Sequence, residues 1–222
     1  LIVLVADDPS MHSSQNEQDS RFYGKFAMIP TLEPASQQEA YDMMEEAFQL
    51  SEEQHLPVLV RVTTRMAHSR AVVKVKETPR QQNELNYNAQ ASNWVLLPAF
   101  ARKRNAIVTA QQAELETIAE KSSHNKYEDA ADHSMGIIAT GIAYNYLMEC
   151  FPNGCPFPVL KISHYPLPKV LVRRMTEACE SVLIAEEGQP FVEEMVRGVM
   201  PGNTVIKGRL TGELPRTGEL NP

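Results

Sequence analysis

Residues 1–25 read LIVLVADDPSMHSSQNEQDSRFYGK, and the fold turns on how this stretch is taken. Leu1–Ala6 is a continuous apolar run of strand length, the pattern of a central parallel strand covered on both faces. Ten polar side chains, His12–Arg21, follow at once, without the glycines and prolines of an ordinary loop. They are either a solvated surface loop or a set of groups converging on a polar ligand. Because the chain opens inside an apolar strand with no initiator Met, it is expected to be a fragment of a longer protein.

Outward from this stretch the pattern continues as strand and helix. Ala27–Leu32 is a weaker strand candidate, closed by Pro34. Ser36-Gln37-Gln38-Glu39 is a capping box, and Ala40, Met43, Met44, Ala47 and Phe48 repeat behind it at helical spacing. His55-Leu56-Pro57 ends that helix, and Val58–Val62 is a second buried strand. Ala71–Val75 reads as a short Val-rich strand, followed by a polar stretch and then by Asn93–Pro98. From Ala99 to about Lys121 the composition predicts one or two exposed helices. Polar, aperiodic Ser122–Ser134 is the expected boundary between units at 1–121 and 131–222.

Beyond it, strands at Met135–Ala139, Val159–Ile162, Val182–Ala185 and Thr204–Ile206 alternate with helices at Gly141–Phe151, Pro168–Cys179 and Pro190–Val199. Short links in such an alternation predict a small parallel sheet with helices on both faces. The fold class is therefore α/β throughout.

Composition excludes several functions. The 222 residues are 43% hydrophobic with a net charge of −7, and the basic side chains are scattered apart from the ARKR run at 101–104. That is not the footprint of a nucleic-acid binder. No apolar run approaches the ~20 residues a membrane span needs. An odd count of three cysteines, Cys150, Cys155 and Cys179, without a secretory signal, points to reduced thiols in a soluble, cytoplasmic protein. Cys150 and Cys155 have no second ligand pair nearby, so a packing role is expected and no metal site.

Two polar segments remain as candidates for chemistry. In an α/β sheet, ligands bind beyond the carboxyl ends of parallel strands, which is where the loop after the first strand and Thr63–Arg70, TTRMAHSR, both belong. Arg21 offers a planar fork that matches a carboxylate, although pairing with Asp19 or Glu17 on the surface is the commoner arrangement. Thr63, Thr64, Arg65, His68 and Ser69 are expected beside it. Gly136 and Gly141 lack a full phosphate-binding pattern and read as turn and packing residues. Glu186 and Glu187 stand before a helix, where acidic residues favour the helix dipole. Catalytic triads and paired histidine ligands do not occur as recognisable spacings.

The runs ADDPSMHSSQNEQDSR, IPTLEPASQQEAYDM and LPVLVRVTTRMAHSR, followed by GIIATGIAYNYL, VLKISHYPLPKVLVRRM and VLIAEEGQPFVEEMV, resemble the thiamine diphosphate-dependent 2-oxoacid:ferredoxin oxidoreductases, and among them the indolepyruvate ferredoxin oxidoreductase alpha subunits. The resemblance implies a partial pyrimidine-binding-type thiamine diphosphate domain followed by a transketolase C-terminal-like three-layer domain. It implies oxidative decarboxylation of aryl-pyruvates to acyl-CoA with electrons passed to ferredoxin. It further implies Arg21, Gln15 and Ser14 as substrate-binding residues and Asn16, Arg65 and His68 as cofactor-binding ones. The full-length protein would use thiamine diphosphate with magnesium and [4Fe-4S] clusters, with a small beta subunit, ferredoxin, CoA and a 2-oxoacid as partners.

The family's activating glutamate lies upstream of Leu1, and its metal and cluster domains have no counterpart here. The chain alone is therefore expected to be inactive and to bind no cofactor. The alternatives are a pyruvate or branched-chain oxidoreductase, and a non-catalytic assembly or binding module.

Overall fold

The apolar runs condense into two β-sheets, each backed by helices whose apolar stripes face them. The computed structural model describes residues 1–77, 90–199, 202 and 204–222. In chain order the first half holds β1 (Ile2–Asp7), α1 (Arg21–Ala27), β2 (Thr31–Leu32), α2 (Gln37–Gln54), β3 (Val58–Thr63), α3 (Thr64–His68), a 3-10 turn at Ala91–Asn93 and α4 (Pro98–Lys121). The second half holds β4 (Lys126–Glu128), β5 (Gly136–Thr140), α5 (Ala143–Cys150), β6 (Val159–Ile162), β7 (His164–Tyr165), α6 (Lys169–Ala178), β8 (Ser181–Ala185), α7 (Phe191–Val199) and β9 (Val205–Lys207).

The first sheet runs β1-β3-β2-β7 and the second β4-β6-β5-β8-β9. β1 and β2 lie parallel to β3, in a register that sets Asp7 opposite Thr63 at the carboxyl ends. β7 comes from the second half of the chain, yet it pairs antiparallel with β2. Sheet one is thus completed by a strand that leaves sheet two only one residue after β6 ends.

Strand alternation explains the layers. Met43, Ala47 and Leu50 of α2 pack with Leu32, Val58 and Val60 in one core, with Ile118 of α4 against it. In the second sheet Ile138, Leu160, Val182 and Ile184 share a core with Val172 and Met175 of α6 and Phe191, Val192 and Val196 of α7. Ala185, one residue past Ile184 and so on the other face, packs instead with Ala143 and Tyr146 of α5, Met66 and Leu220. Helices therefore cover both faces, and the three-layer arrangement expected for this half holds.

Several local expectations are corrected. β1 is an edge strand with Val3 38% and Leu4 65% exposed, because β3 is its single partner among the described residues. Residues 21–27 form a helix, not loop and strand: Phe22 packs edge-on against Phe191, a contact between distant segments that local pattern does not show. Ala71–Val75 is irregular, with Val72 98% exposed, and the polar stretch after it falls largely outside the described residues. The expected boundary at 122–134 carries β4, which pairs with β6. α4 is a single helix of 24 residues, and its last turns do enter the core through Leu115 and Ala119.

Candidate functional site

The carboxyl ends of the strands from both sheets meet, and at the meeting point the chain buries an ionic network. Asp7 ends β1, and Arg61 projects from β3 with no exposure. Glu33 follows β2, Thr140 ends β5, and Glu186 and Glu187 follow β8. The loop after β1 adds Asp19, Ser20 and Arg21.

Arg61 donates from Nε to Asp7 Oδ2 at 2.5 Å, from Nη1 to Glu33 and from Nη2 to the Glu187 carbonyl at 3.1 Å. Arg21 donates from Nε to Asp19 at 2.9 Å and from Nη2 to the carbonyls of Glu187 and Gln189 at 3.1 and 3.0 Å. Its Nη1 reaches Glu186 Oε2 at 2.9 Å and Thr140 Oγ1 at 3.3 Å. Tyr165 closes the set by donating to Glu33 Oε2 at 2.7 Å.

Two glycines follow from this crowding. At Gly141, whose φ is +47°, a β-carbon would stand 2.6 Å from Glu33 Cγ; at Gly188, φ +97°, it would stand 2.8 Å from Asp19 Oδ2. These second-half glycines are small because first-half acids occupy the space.

Burial and charge set the protonation states. Burial raises the Asp19 carboxyl, but Arg21 and Arg61 outweigh that and hold it below the ordinary range. Burial pushes Glu186 up to about 7 despite Arg21 and the Val192 and Glu193 amides that it accepts at 2.9 Å. Those two amides open α7, so the acid read from sequence as a helix-dipole partner is one. Pairs this deeply buried cost about 3–5 kcal/mol to break from one side.

Above the network lies a polar rim made of the two segments singled out in the sequence, and the structure does bring them together. Thr64 Oγ1 donates to Asp8 Oδ1 at 2.7 Å, and Asp8 accepts the Ser13 and Ser14 amides at 2.8 and 2.9 Å. The Ser13 amide, with the Thr64 hydroxyl next, holds the Asp8 carboxyl well below its usual range. Ser14, Gln15 and Asn16 are exposed on this rim, as are Arg65 and His68.

A third segment crosses it. Glu219 pairs with both His12 and Arg65, its amide donates to Ser10 Oγ at 2.7 Å, and the Gly218 amide donates to Glu17 at 2.9 Å.

Arg21 is the correction here. The sequence places it at this edge, either as a free fork or paired with Asp19 or Glu17 at the surface; the structure pairs it with Asp19 but buries the pair, and each guanidinium nitrogen is already bound to protein acceptors. It does not present a free fork. Its neighbours Arg61 and Glu33 carried no expectation, and Glu186 was read only as a helix-dipole partner, although one charged residue inside the apolar run Val58–Val62 is a signal for a buried pair. Among the described residues, no three His, Cys, Asp or Glu side chains are arranged to hold a metal ion, and no helix is long and apolar enough to cross a membrane. Cys150 is exposed, Cys155 half-buried and Cys179 buried, all as free thiols.

Two joined α/β units with polar loops at their shared carboxyl edge define the chain's fold class. A solved structure with this fold is 2-oxoglutarate:ferredoxin oxidoreductase from Magnetococcus marinus, with a TM-score of 0.56 over 81% of this chain and 38% of that one, at 12% identity. No family model matches the chain.

Curated relatives narrow the class. Indolepyruvate oxidoreductase subunit IorA is 38% identical over 227 residues in Methanothermobacter thermautotrophicus and 39% over 223 residues in Archaeoglobus fulgidus, covering 100% and 99% of this chain. The Pyrococcus horikoshii IorA is 40% identical over 205 residues, 89% of the chain. The chain belongs to the IorA family as a partial-length member, spanning 37%, 35% and 32% of the length of these relatives.

Proposed function

We propose that the chain is part of an indolepyruvate:ferredoxin oxidoreductase, which oxidatively decarboxylates aryl-pyruvates to acyl-CoA with ferredoxin as electron acceptor. The observation that carries this reading is the match to IorA along the whole chain, with both polar segments set side by side at one sheet edge. In this reading Ser14, Gln15, Asn16, Arg65 and His68 form the wall that faces substrate and cofactor. Arg21 acts behind them as a positioning residue, tying the loop after β1 to the turn after β8.

Thiamine diphosphate with magnesium is the cofactor the resemblance implies. The donor set of this chain does not fit it unaided. No metal-holding cluster stands among the described residues, and the buried Glu33 carboxylate is spent on Arg61 and Tyr165. The proposal therefore assigns the metal, the activating carboxylate and the [4Fe-4S] clusters to other parts of the longer protein. The small beta subunit, CoA and ferredoxin are its partners there.

The test is an anaerobic assay of the full-length protein with its partner subunit, following ferredoxin reduction in the presence of CoA. Indolepyruvate is expected to give a higher kcat/KM than pyruvate or a branched-chain 2-oxoacid; the reverse order would reassign the substrate. A second reading, a non-catalytic assembly module, draws on the complete internal use of Arg21. It predicts no ferredoxin reduction with any 2-oxoacid. Under the favoured reading the 222-residue chain alone shows no thiamine diphosphate binding at micromolar concentration by calorimetry.

A further inference from the structure

The rim holds one carboxylate in a seat that has the features of a binding site. Glu219 lies between the guanidinium of Arg65, with Nε 2.9 Å and Nη2 2.5 Å away, and the imidazole of His12. The Arg65 guanidinium rests over the Tyr146 ring, 5.3 Å from its centroid. Tyr146 is 6% exposed, and its hydroxyl is buried without a hydrogen-bond partner among the described residues. A buried donor left unmatched is rare and calls for an acceptor.

The backbone beneath Glu219 is pinned independently of its side chain. Gly218 donates to Glu17, Glu219 to Ser10 and Leu220 to Glu187, while Leu220 is buried with Met66 and Tyr146. The carboxylate can therefore swing out while the segment stays in place. The side chains that grip it are 43% exposed for Arg65 and 50% for His12, so the pairing is held weakly. Arg21, in contrast, is locked among buried acids.

We propose that Arg65, His12 and the Tyr146 hydroxyl form a carboxylate-binding seat on the rim, that Glu219 occupies it as an internal surrogate, and that the acid group of the 2-oxoacid displaces it. This rests on the proposed oxidoreductase function for the identity of the acid. Arg65 supplies the bidentate fork and Tyr146 the donor that Glu219 leaves unused. The ligand class is a small organic carboxylate with an apolar or aromatic body.

The experiment titrates the full-length protein containing this chain with indole-3-acetate, an acid without a keto group to react, and separately with inorganic phosphate. Replacing Glu219→Gln removes the competing charge and is expected to tighten indole-3-acetate binding about fivefold. In E219Q/R65Q that gain is lost, and E219Q/Y146F keeps only part of it. Equal affinity for indole-3-acetate in E219Q and the unmodified protein overturns the proposal, as does a gain that survives R65Q. A gain for phosphate as large as that for the acid overturns the carboxylate assignment.

Should E219Q fail to fold, crystals of the unmodified protein soaked in indole-3-acetate decide the matter. Density for the acid against Arg65 with Glu219 turned away supports the seat, and density elsewhere or none overturns it. Turnover is measured apart from this: absence of ferredoxin reduction with every 2-oxoacid refutes the enzyme reading while the titration still judges the seat.

Discussion

Arg61 and Arg65 stand one helical turn apart in sequence and obey opposite energetics. Arg61 is fully buried and holds Asp7 and Glu33, so its removal leaves two carboxylates in a low dielectric with one fewer cation. Arg61→Met is expected to destabilise the chain by about 3–5 kcal/mol in urea unfolding, whereas Arg65→Gln, on the exposed rim, costs no more than about 1 kcal/mol. Equal losses would mean that the network is not the structural centre described above.

Glu186 adds a pH signature. Its folded pKa of about 7 lies above its ordinary 4.5, so between those values the folded state binds more protons than the unfolded one. Stability from this group is present at low pH and declines as pH rises toward 7. Buried His164, pushed down to about 4 by burial and by His124, works the other way: its share is present above 6.5 and is lost as pH falls toward 4. Glu186→Gln is expected to remove the first slope and expose the second, so that melting temperature rises with pH from about 4 to about 6.5. A variant whose profile superimposes on the parent would show that Glu186 does not titrate as argued.

At the scale of elements, α2 shows what local chemistry dictates and where it stops. The Ser36 hydroxyl accepts from the Glu39 amide, as the capping box predicts, but the Glu39 carboxylate bonds the Ala35 amide at 2.6 Å instead of the Ser36 one. Its other oxygen takes Lys161 of β6 at 2.6 Å and His124 at 3.0 Å. One first-turn acid thus ties the first half of the chain to the second. Ser36→Ala is expected to cost about 1 kcal/mol, the usual worth of a cap. Glu39→Ala should cost more, because it also frees Lys161 and His124, and thermal melts of the two variants rank them.

The same contrast governs what was legible. α2, β3, β5, β6 and β8 are written in their own periodicity. β7, only two residues long, and α1, held by Phe22 on Phe191, depend on partners more than a hundred residues away. Val72 and Val75 carry strand propensity, yet Ala71–Val75 pairs with no strand among the described residues and is irregular.

Viewed as a whole molecule, the chain is two α/β units whose order is readable from sequence and whose join is not. The alternation of strands and helices predicts both units, and the rule that ligands sit beyond carboxyl ends predicts that residues 12–21 and 63–70 share an edge. What escapes such reading is that the edges of both sheets are pressed together. Arg21 was legible as a cation at the right loop, but its acceptors Glu186 and Gln189 lie far along the chain.

We propose that residues 1–121 and 131–222, although separable as patterns, form one cooperative unit. β2 needs β7 as its outer neighbour, Arg21 needs Glu186 and Thr140, and Glu33 needs the Tyr165 hydroxyl. Residues 1–121 expressed alone would retain Asp7, Asp19 and Glu33 around two arginines without these partners, a set that is costly to bury. That piece is expected to lack a cooperative unfolding transition, while the intact chain unfolds in one step. Amide exchange reads this directly, since β3 and β5 must open with the same free energy if the join is as strong as its burial implies. Exchange of the β3 amides at denaturant concentrations that leave β5 fully protected would show the ionic join to be a contact between independent domains, and the buried arginines would then be secondary to the two apolar cores.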